Sequence, residues 1–121
     1  MNLVLWIVQG VLAAVFLASG ARKLATPRTQ LVAAGGGNGW AEDVTDDRVK
    51  AIGTAEVLGA IGLILPAALG VAVVLTPIAA VGLAVVMLGA VATHARRGET
   101  NALAVPLVLA VLALFVAVMR F

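Results

Sequence analysis

Glu56 is the residue of this sequence with the clearest potential for chemistry, because it is an acid inside a long apolar stretch. It lies about ten residues, or about 15 Å, from the predicted start of a helix. An ionisable group at the centre of a bilayer costs about 2.5–3.5 kcal/mol, so it usually faces other helices and has a partner. The same helix face carries small residues that would let a neighbouring helix approach closely, namely Gly53, Gly59 and Ala60. Glu56 is therefore predicted to point at another helix.

Two further ionisable residues, Lys23 and His94, lie near the ends of apolar stretches. Helical side chains lean toward the N-terminus of their own helix. In helices of alternating direction, Lys23 and His94 would therefore lean into the membrane, while Glu56 would lean toward them. Helical spacing also places Phe16 and Ser19 on the face of Lys23. The sequence therefore predicts a polar cluster in which Lys23 and Glu56 form an ion pair. Phe16, Ser19 and His94 are expected to lie nearby.

Each of these residues also has a purely structural explanation. The Lys23–Glu56 pair could simply fix helix register, since buried ion pairs are weak evidence for stability and can serve specificity. Lys23 alone could extend to the membrane surface, and His94 alone could be an exposed cation that suits the end of a helix dipole. Gln9 is expected to form an interhelical hydrogen bond. The two tryptophans are expected to be interfacial anchors, Trp6 and Trp40.

No recognised catalytic constellation accompanies the cluster. The chain contains no cysteine, which excludes disulfides, thiol redox chemistry and cysteine-based metal sites. Its single histidine has no partner at metal-ligand spacing, so no metal site is predicted. The glycine-rich stretch 35–39 does not have the context of a phosphate-binding loop and is expected to be a flexible connection. We expect no catalytic activity of the chain's own and, apart from a quinone, no cofactor.

The amino-acid composition identifies the environment of the chain. Hydrophobic residues make up 63% of the sequence and charged residues 12%, whereas soluble domains are about 45–50% apolar and about 25% charged. A soluble domain of 121 residues could not bury so many apolar side chains, because small domains keep much of their surface exposed. An integral membrane protein in a lipid bilayer is therefore predicted. The sequence lacks a basic patch with interleaved aromatic residues, which argues against nucleic acid as a partner.

Four apolar stretches approach the length of about 20 residues that a spanning helix needs. They are residues 3–24, 46–65, 71–94 and 102–119. Thr45 is predicted to cap the second span, and Pro66 and Gly70 are predicted to mark the turn that follows it. Because only the connection 26–45 is long, the chain is predicted to be a single all-α domain, a four-helix antiparallel transmembrane bundle.

The basic residues predict how the bundle is oriented, because Lys and Arg concentrate in cytoplasmic connections. Arg120 is expected at one end of the bundle. The other end is expected to hold Arg22, Lys23, Arg28, Arg48, Lys50, Arg96 and Arg97. The chain is therefore predicted to lie in the plasma membrane with both termini outside and the connection 26–45 in the cytoplasm. Basic residues follow the first apolar stretch rather than precede it, which favours a retained helix over a cleaved signal peptide.

Three segments together give the sequence a family resemblance. The first is 16–24, which contains Lys23; the second is 53–63, which contains Glu56; the third ends near His94. In this order and spacing, the chain resembles the DoxX family, and more closely its DoxX-like branch, over nearly its whole length. The resemblance implies a four-helix membrane fold with functional polar positions at these three residues. It also implies a link to redox enzymes, because the family is named for a subunit of a thiosulfate:quinone oxidoreductase and other members are linked to oxidative-stress complexes.

Three functions are compatible with these observations. The first is an accessory or binding subunit of a membrane oxidoreductase or stress-related complex, or of a homo-oligomer. The second is a site within the bundle for a quinone, a lipid or another apolar molecule. The cavity expected for such a site is lined by Glu56, Lys23, Ser19 and Phe16. The third is a small transporter or proton relay, since intramembrane acids often mark ion paths.

Overall fold

The computed structural model of the chain describes residues 2–34 and 39–121, and the regular structure of these residues is helical. The helices are α1 (Asn2–Ala25), α2 (Arg28–Ala34), α3 (Asp46–Leu69), α4 (Leu75–Arg96) and α5 (Ala104–Arg120), with 3₁₀ turns at Gly39–Asp43 and Thr100–Ala102. Within these described ranges, four segments are long and apolar enough to cross a membrane, and they contain α1, α3, α4 and α5. The glycine-rich connection predicted at 35–39 lies outside the described residues except for Gly39.

The four long helices form an antiparallel bundle, as the sequence predicted. Helix α1 packs along α3, α3 along α4 and α4 along α5, while a smaller contact between α5 and α1 closes the ring. The outward faces carry large apolar side chains that are mostly exposed: Leu3 (73%), Leu58 (63%), Val85 (63%) and Val118 (74%), one from each long helix. A surface of this kind is stable in lipid, so these helices are candidate membrane spans.

Glycines set the distance between the helices. A Cβ atom on Gly20 would lie 2.6 Å from the carbonyl oxygen of Gly53, so the backbones of α1 and α3 touch at this point. On the other side of α3, a Cβ atom on Gly59 would lie 2.6 Å from the Leu83 side chain of α4. The small residues around Glu56 therefore face two neighbouring helices, where the sequence had suggested one shared face. Such contacts bring side chains on adjacent helices within reach of each other.

Helix α3 begins where the sequence predicted and ends later. The Thr45 hydroxyl caps its start by accepting a hydrogen bond from the Arg48 backbone N–H, at 3.3 Å. The predicted end was Leu65, because proline usually interrupts a helix, yet α3 continues through Pro66 to Leu69. Gly70 then ends the helix in the left-handed conformation, with φ of 67°.

A buried glutamine joins α1 to two other helices. The Gln9 amide donates to the carbonyl oxygen of Leu63 in α3 at 2.6 Å. Its amide oxygen accepts a hydrogen bond from Arg120 Nε at 2.8 Å, and Arg120 also donates to Asn2 at 3.0 Å. The expected interhelical hydrogen bond of Gln9 is therefore present, and it extends to the end of α5.

The connection between α1 and α3 is folded against the bundle. Leu31 of α2, Ala41 of the 3₁₀ turn and Val49 of α3 form a small buried core of their own. Arg28 holds the two parts of the connection together by donating to the carbonyl oxygen of Ala41 at 2.9 Å. This arrangement places Trp40 beside the ends of the long helices.

Candidate functional site

The predicted ion pair between Lys23 and Glu56 is present. Lys23 Nζ of α1 lies 2.7 Å from Glu56 Oε1 of α3, and the side chains are 15% and 1% exposed, respectively. Each residue lies three positions after the glycine at which the two helices touch. Since the helices are antiparallel and side chains lean toward their own N-terminus, the two groups lean toward each other, as the sequence indicated.

The ammonium group of Lys23 is surrounded by partners. It donates a hydrogen bond to Ser19 Oγ at 2.7 Å, which is one helical turn earlier on α1. It also lies 5.8 Å from the centre of the Trp40 ring, within the range of a cation–π interaction. Lys23 therefore lies against the bundle, and the alternative in which it extends to the membrane surface is not the arrangement observed.

A partly open cleft of about 890 Å³ lies between the helices at the ion pair. All five residues that the sequence singled out line it: Phe16, Ser19, Lys23, Glu56 and His94. Most of the remaining wall is apolar and comes from all four long helices, through Val15, Ile52, Val86, Met87, Ala90, Val105, Pro106 and Leu109. The cleft thus combines a polar end, near the connections, with an apolar interior.

His94 lines the cleft but is not hydrogen-bonded to the ion pair. Its Nδ1 atom lies 2.9 Å from Glu99 Oε1, and the same oxygen accepts a hydrogen bond from Arg97 Nε at 3.2 Å. The hydrogen bond from His94, together with the positive charge of Arg97, holds the pKa of the Glu99 carboxyl below its usual value. His94 is 8% exposed, so it is a buried residue and not an exposed helix-end cation.

The α1–α3 connection and the α4–α5 connection approach each other beside the cleft. Glu42 Oε2 lies 4.0 Å from Arg97 Nη2, which links the 3₁₀ turn before α3 to the turn after α4. Trp40, from the same 3₁₀ turn, lines the cleft directly. Sequence reasoning assigned neither Trp40 nor Glu99 to the site. The available signals were a tryptophan within a polar connection and an acid five residues after the only histidine.

The described part of the chain contains no group of three or more His, Cys, Asp or Glu residues that could hold a metal ion. The arrangement is instead suited to an uncharged or amphipathic molecule, because a large apolar wall adjoins a small number of polar groups. Lys23 and Glu56 compensate each other's charge and provide fixed polar atoms at one end of the cleft.

The sequence model of the DoxX-like family matches residues 7–116, a range that contains all five predicted cluster residues. No curated protein and no solved structure gives a significant match to the chain.

Proposed function

The chain belongs to the DoxX-like family, and on that premise we propose that it is a membrane protein whose cleft binds an apolar small molecule such as a quinone or a lipid. The observation that carries this proposal is the cleft of about 890 Å³ lined by Lys23 and Glu56. Ligand sites typically have volumes of about 300–1,000 Å³, apolar walls and a few polar groups that fix the orientation of the ligand. The cleft has each of these properties.

The placement of the ion pair supports a role in binding over a purely structural role. A pair that only joined two helices would be expected to be fully enclosed and fully hydrogen-bonded, because buried charges are costly unless both conditions hold. Here the pair lies on the wall of a partly open cleft. Although Glu56 Oε1 is only 2.7 Å from Lys23 Nζ, the contact lacks hydrogen-bond alignment and the oxygen has no hydrogen-bond partner among the described residues.

The proposal is tested by identifying what copurifies with the protein. Wild type and Glu56→Gln would be extracted from native membranes in mild detergent, and bound molecules would be identified by native mass spectrometry. Arg48→Gln is a matched control, because Arg48 is exposed on the same helix and does not line the cleft. We expect a bound apolar molecule in wild type and the control, and its loss in Glu56→Gln. Absence of any bound small molecule from the wild type would contradict the proposal.

A second proposal, based on the family resemblance, is an accessory role in a membrane oxidoreductase or stress-related complex. The extensive apolar outer surface is compatible with lipid and with another membrane protein. The same purification separates the two proposals. A protein partner that copurifies equally with wild type and Glu56→Gln, without a small molecule, would favour the accessory role and would place function on the outer surface.

We further propose that the protein lies in the plasma membrane with both termini outside. One end of the bundle holds the α1–α3 and α4–α5 connections and most of the basic side chains. Arg120 lies at the opposite end, beside Asn2. Under the positive-inside rule, this distribution supports a cytoplasmic location for these connections and for the polar end of the cleft.

A further inference from the structure

The two lysines near the cleft already have partners. Lys23 donates a hydrogen bond to Ser19 Oγ and lies against the Trp40 ring, while its 2.7 Å contact with Glu56 Oε1 is an ion pair without hydrogen-bond alignment. Lys50, the next ammonium group along the chain, donates to the backbone carbonyl oxygens of Lys23, Leu24 and Thr26 at 3.0, 2.9 and 3.3 Å. An anionic ligand would therefore compete with Glu56 for the Lys23 ammonium group.

Glu56, in contrast, has unused capacity to accept hydrogen bonds. A carboxylate offers about four lone-pair sites. In the described part of the chain its one polar contact is Lys23, and Oε1 has no aligned donor despite that contact. Glu56 is 1% exposed and lines the cleft, so a molecule held in the cleft can supply the missing donors. A buried acceptor in this condition is strongly stabilised by any donor that a ligand brings.

His94 lines the same cleft and already has a partner. The pKa of Glu99 is lowered, so this carboxyl is ionised at neutral pH and can only accept. The 2.9 Å contact therefore uses His94 Nδ1 as a donor to Glu99. On this cleft, Glu56 thus offers an acceptor, while the ammonium group of Lys23 and His94 Nδ1 are engaged.

From this balance of donors and acceptors we infer that the cleft selects apolar molecules that carry a neutral hydrogen-bond donor, above all a hydroxyl group. Phenols, hydroquinones and long-chain alcohols share this chemistry. A carboxylate or phosphate of similar size would meet the negative charge of Glu56, and an ammonium group would meet the positive charge of Lys23. A hydroxyl avoids both repulsions and can also accept a hydrogen bond from Ser19. This inference rests on the proposed function, because it names the ligand class of the same cleft.

Three matched probes test the inference: nonylphenol, its methyl ether and nonylbenzoic acid. They share an alkylated ring, but at neutral pH the first carries a neutral donor, the second carries no donor and the third is ionised. Binding would be measured with the full chain in phosphatidylcholine nanodiscs, by native mass spectrometry and by the ligand-induced rise in melting temperature. We expect the phenol to bind at least about ten-fold more tightly than the ether, because its hydrogen bond has a charged acceptor. The benzoate is expected to bind more weakly than the phenol.

Variants test whether Glu56 causes the expected order of probe affinities. Glu56→Gln is expected to lower the preference for phenol over ether by about ten-fold, because the acceptor loses its charge, while Arg48→Gln is expected to leave it unchanged. The ranking itself is measured on wild type, so it does not depend on the folding of any variant. Equal binding of phenol and ether, or tightest binding of the benzoate, would overturn the inference while leaving a ligand site in place. Failure of all three probes to bind would overturn the inference, and with the absence of any copurifying molecule it would also overturn the proposed function.

Discussion

Gly20 and Gly53 face each other where α1 crosses α3, and a Cβ atom on either residue would lie less than 3.0 Å from the carbonyl oxygen of the other. Lys23 and Glu56 each follow one of these glycines by three residues, and their charged atoms lie 2.7 Å apart. The ion pair therefore depends on the closest backbone contact between the two helices.

We expect Gly20→Ala to separate α1 from α3 and to lower the free energy of unfolding by about 1–3 kcal/mol, as overpacking of a tight contact usually does. Thermal or denaturant unfolding in detergent micelles would measure the loss. Gly10→Ala is the matched control, because Gly10 lies on the same helix and a Cβ atom there would have no neighbour within 4 Å. Equal effects of the two substitutions would show that the contact is not tight.

Lys23→Met is expected to destabilise the protein by about 3–5 kcal/mol, because it leaves Glu56 buried without its counter-charge. The double variant Lys23→Met, Glu56→Leu is expected to recover much of this loss, since both charges are then removed. Unfolding measurements on wild type, both single variants and the double variant give the coupling energy. Strictly additive losses would mean that the two residues do not interact in the membrane.

Gln9→Met is expected to lower the free energy of unfolding by about 1–3 kcal/mol, because it removes two hydrogen bonds between helices and leaves part of a guanidinium group without a partner. The affected groups are the Leu63 carbonyl and Arg120 Nε. Asn2→Ala removes an exposed hydrogen bond to the same guanidinium and is expected to cost much less. The prediction fails if the two variants unfold alike.

Stability is expected to fall when the pH drops below the ordinary pKa of Glu99, 4.5. The folded state lowers the pKa of this carboxyl, so its contribution is present above 4.5 and is lost as the pH falls through the lowered value. Melting temperatures recorded from neutral to acidic pH would show this loss in wild type. Glu99→Gln, which cannot ionise, is expected to show a smaller loss over the same range, and identical profiles would contradict this.

The absence of cysteine provides a direct test of orientation. Phe121→Cys places a thiol at the end of α5, and Thr100→Cys places one in the exposed turn between α4 and α5. In intact cells, a membrane-impermeant maleimide is expected to label the first variant and not the second. Labelling of both after permeabilisation would confirm that each thiol is accessible. The reverse pattern in intact cells would show that the bundle is inserted the other way.

The sequence was sufficient to predict those features that depend on regular periodicity. The Lys23–Glu56 pair followed from helix direction and from the small residues near Glu56. The position of Trp40 and the pairing of His94 with Glu99 did not, because side chains in irregular connections follow no repeat. The end of α3 was predicted too early, because proline usually interrupts a helix, whereas α3 continues through Pro66 and ends at Gly70.

The position of the cleft within the candidate membrane spans has a consequence for how binding should be quantified. Helices α1 and α5 are joined at the termini, where Arg120 bonds to Gln9 and Asn2. Toward the other end, both helices contribute walls to the cleft, through residues such as Val15 and Leu109. The apolar walls of the cleft lie within the candidate membrane spans. The proposed ligand would then be drawn from the lipid phase, where apolar molecules accumulate, so occupancy would follow its mole fraction in the membrane and not its aqueous concentration.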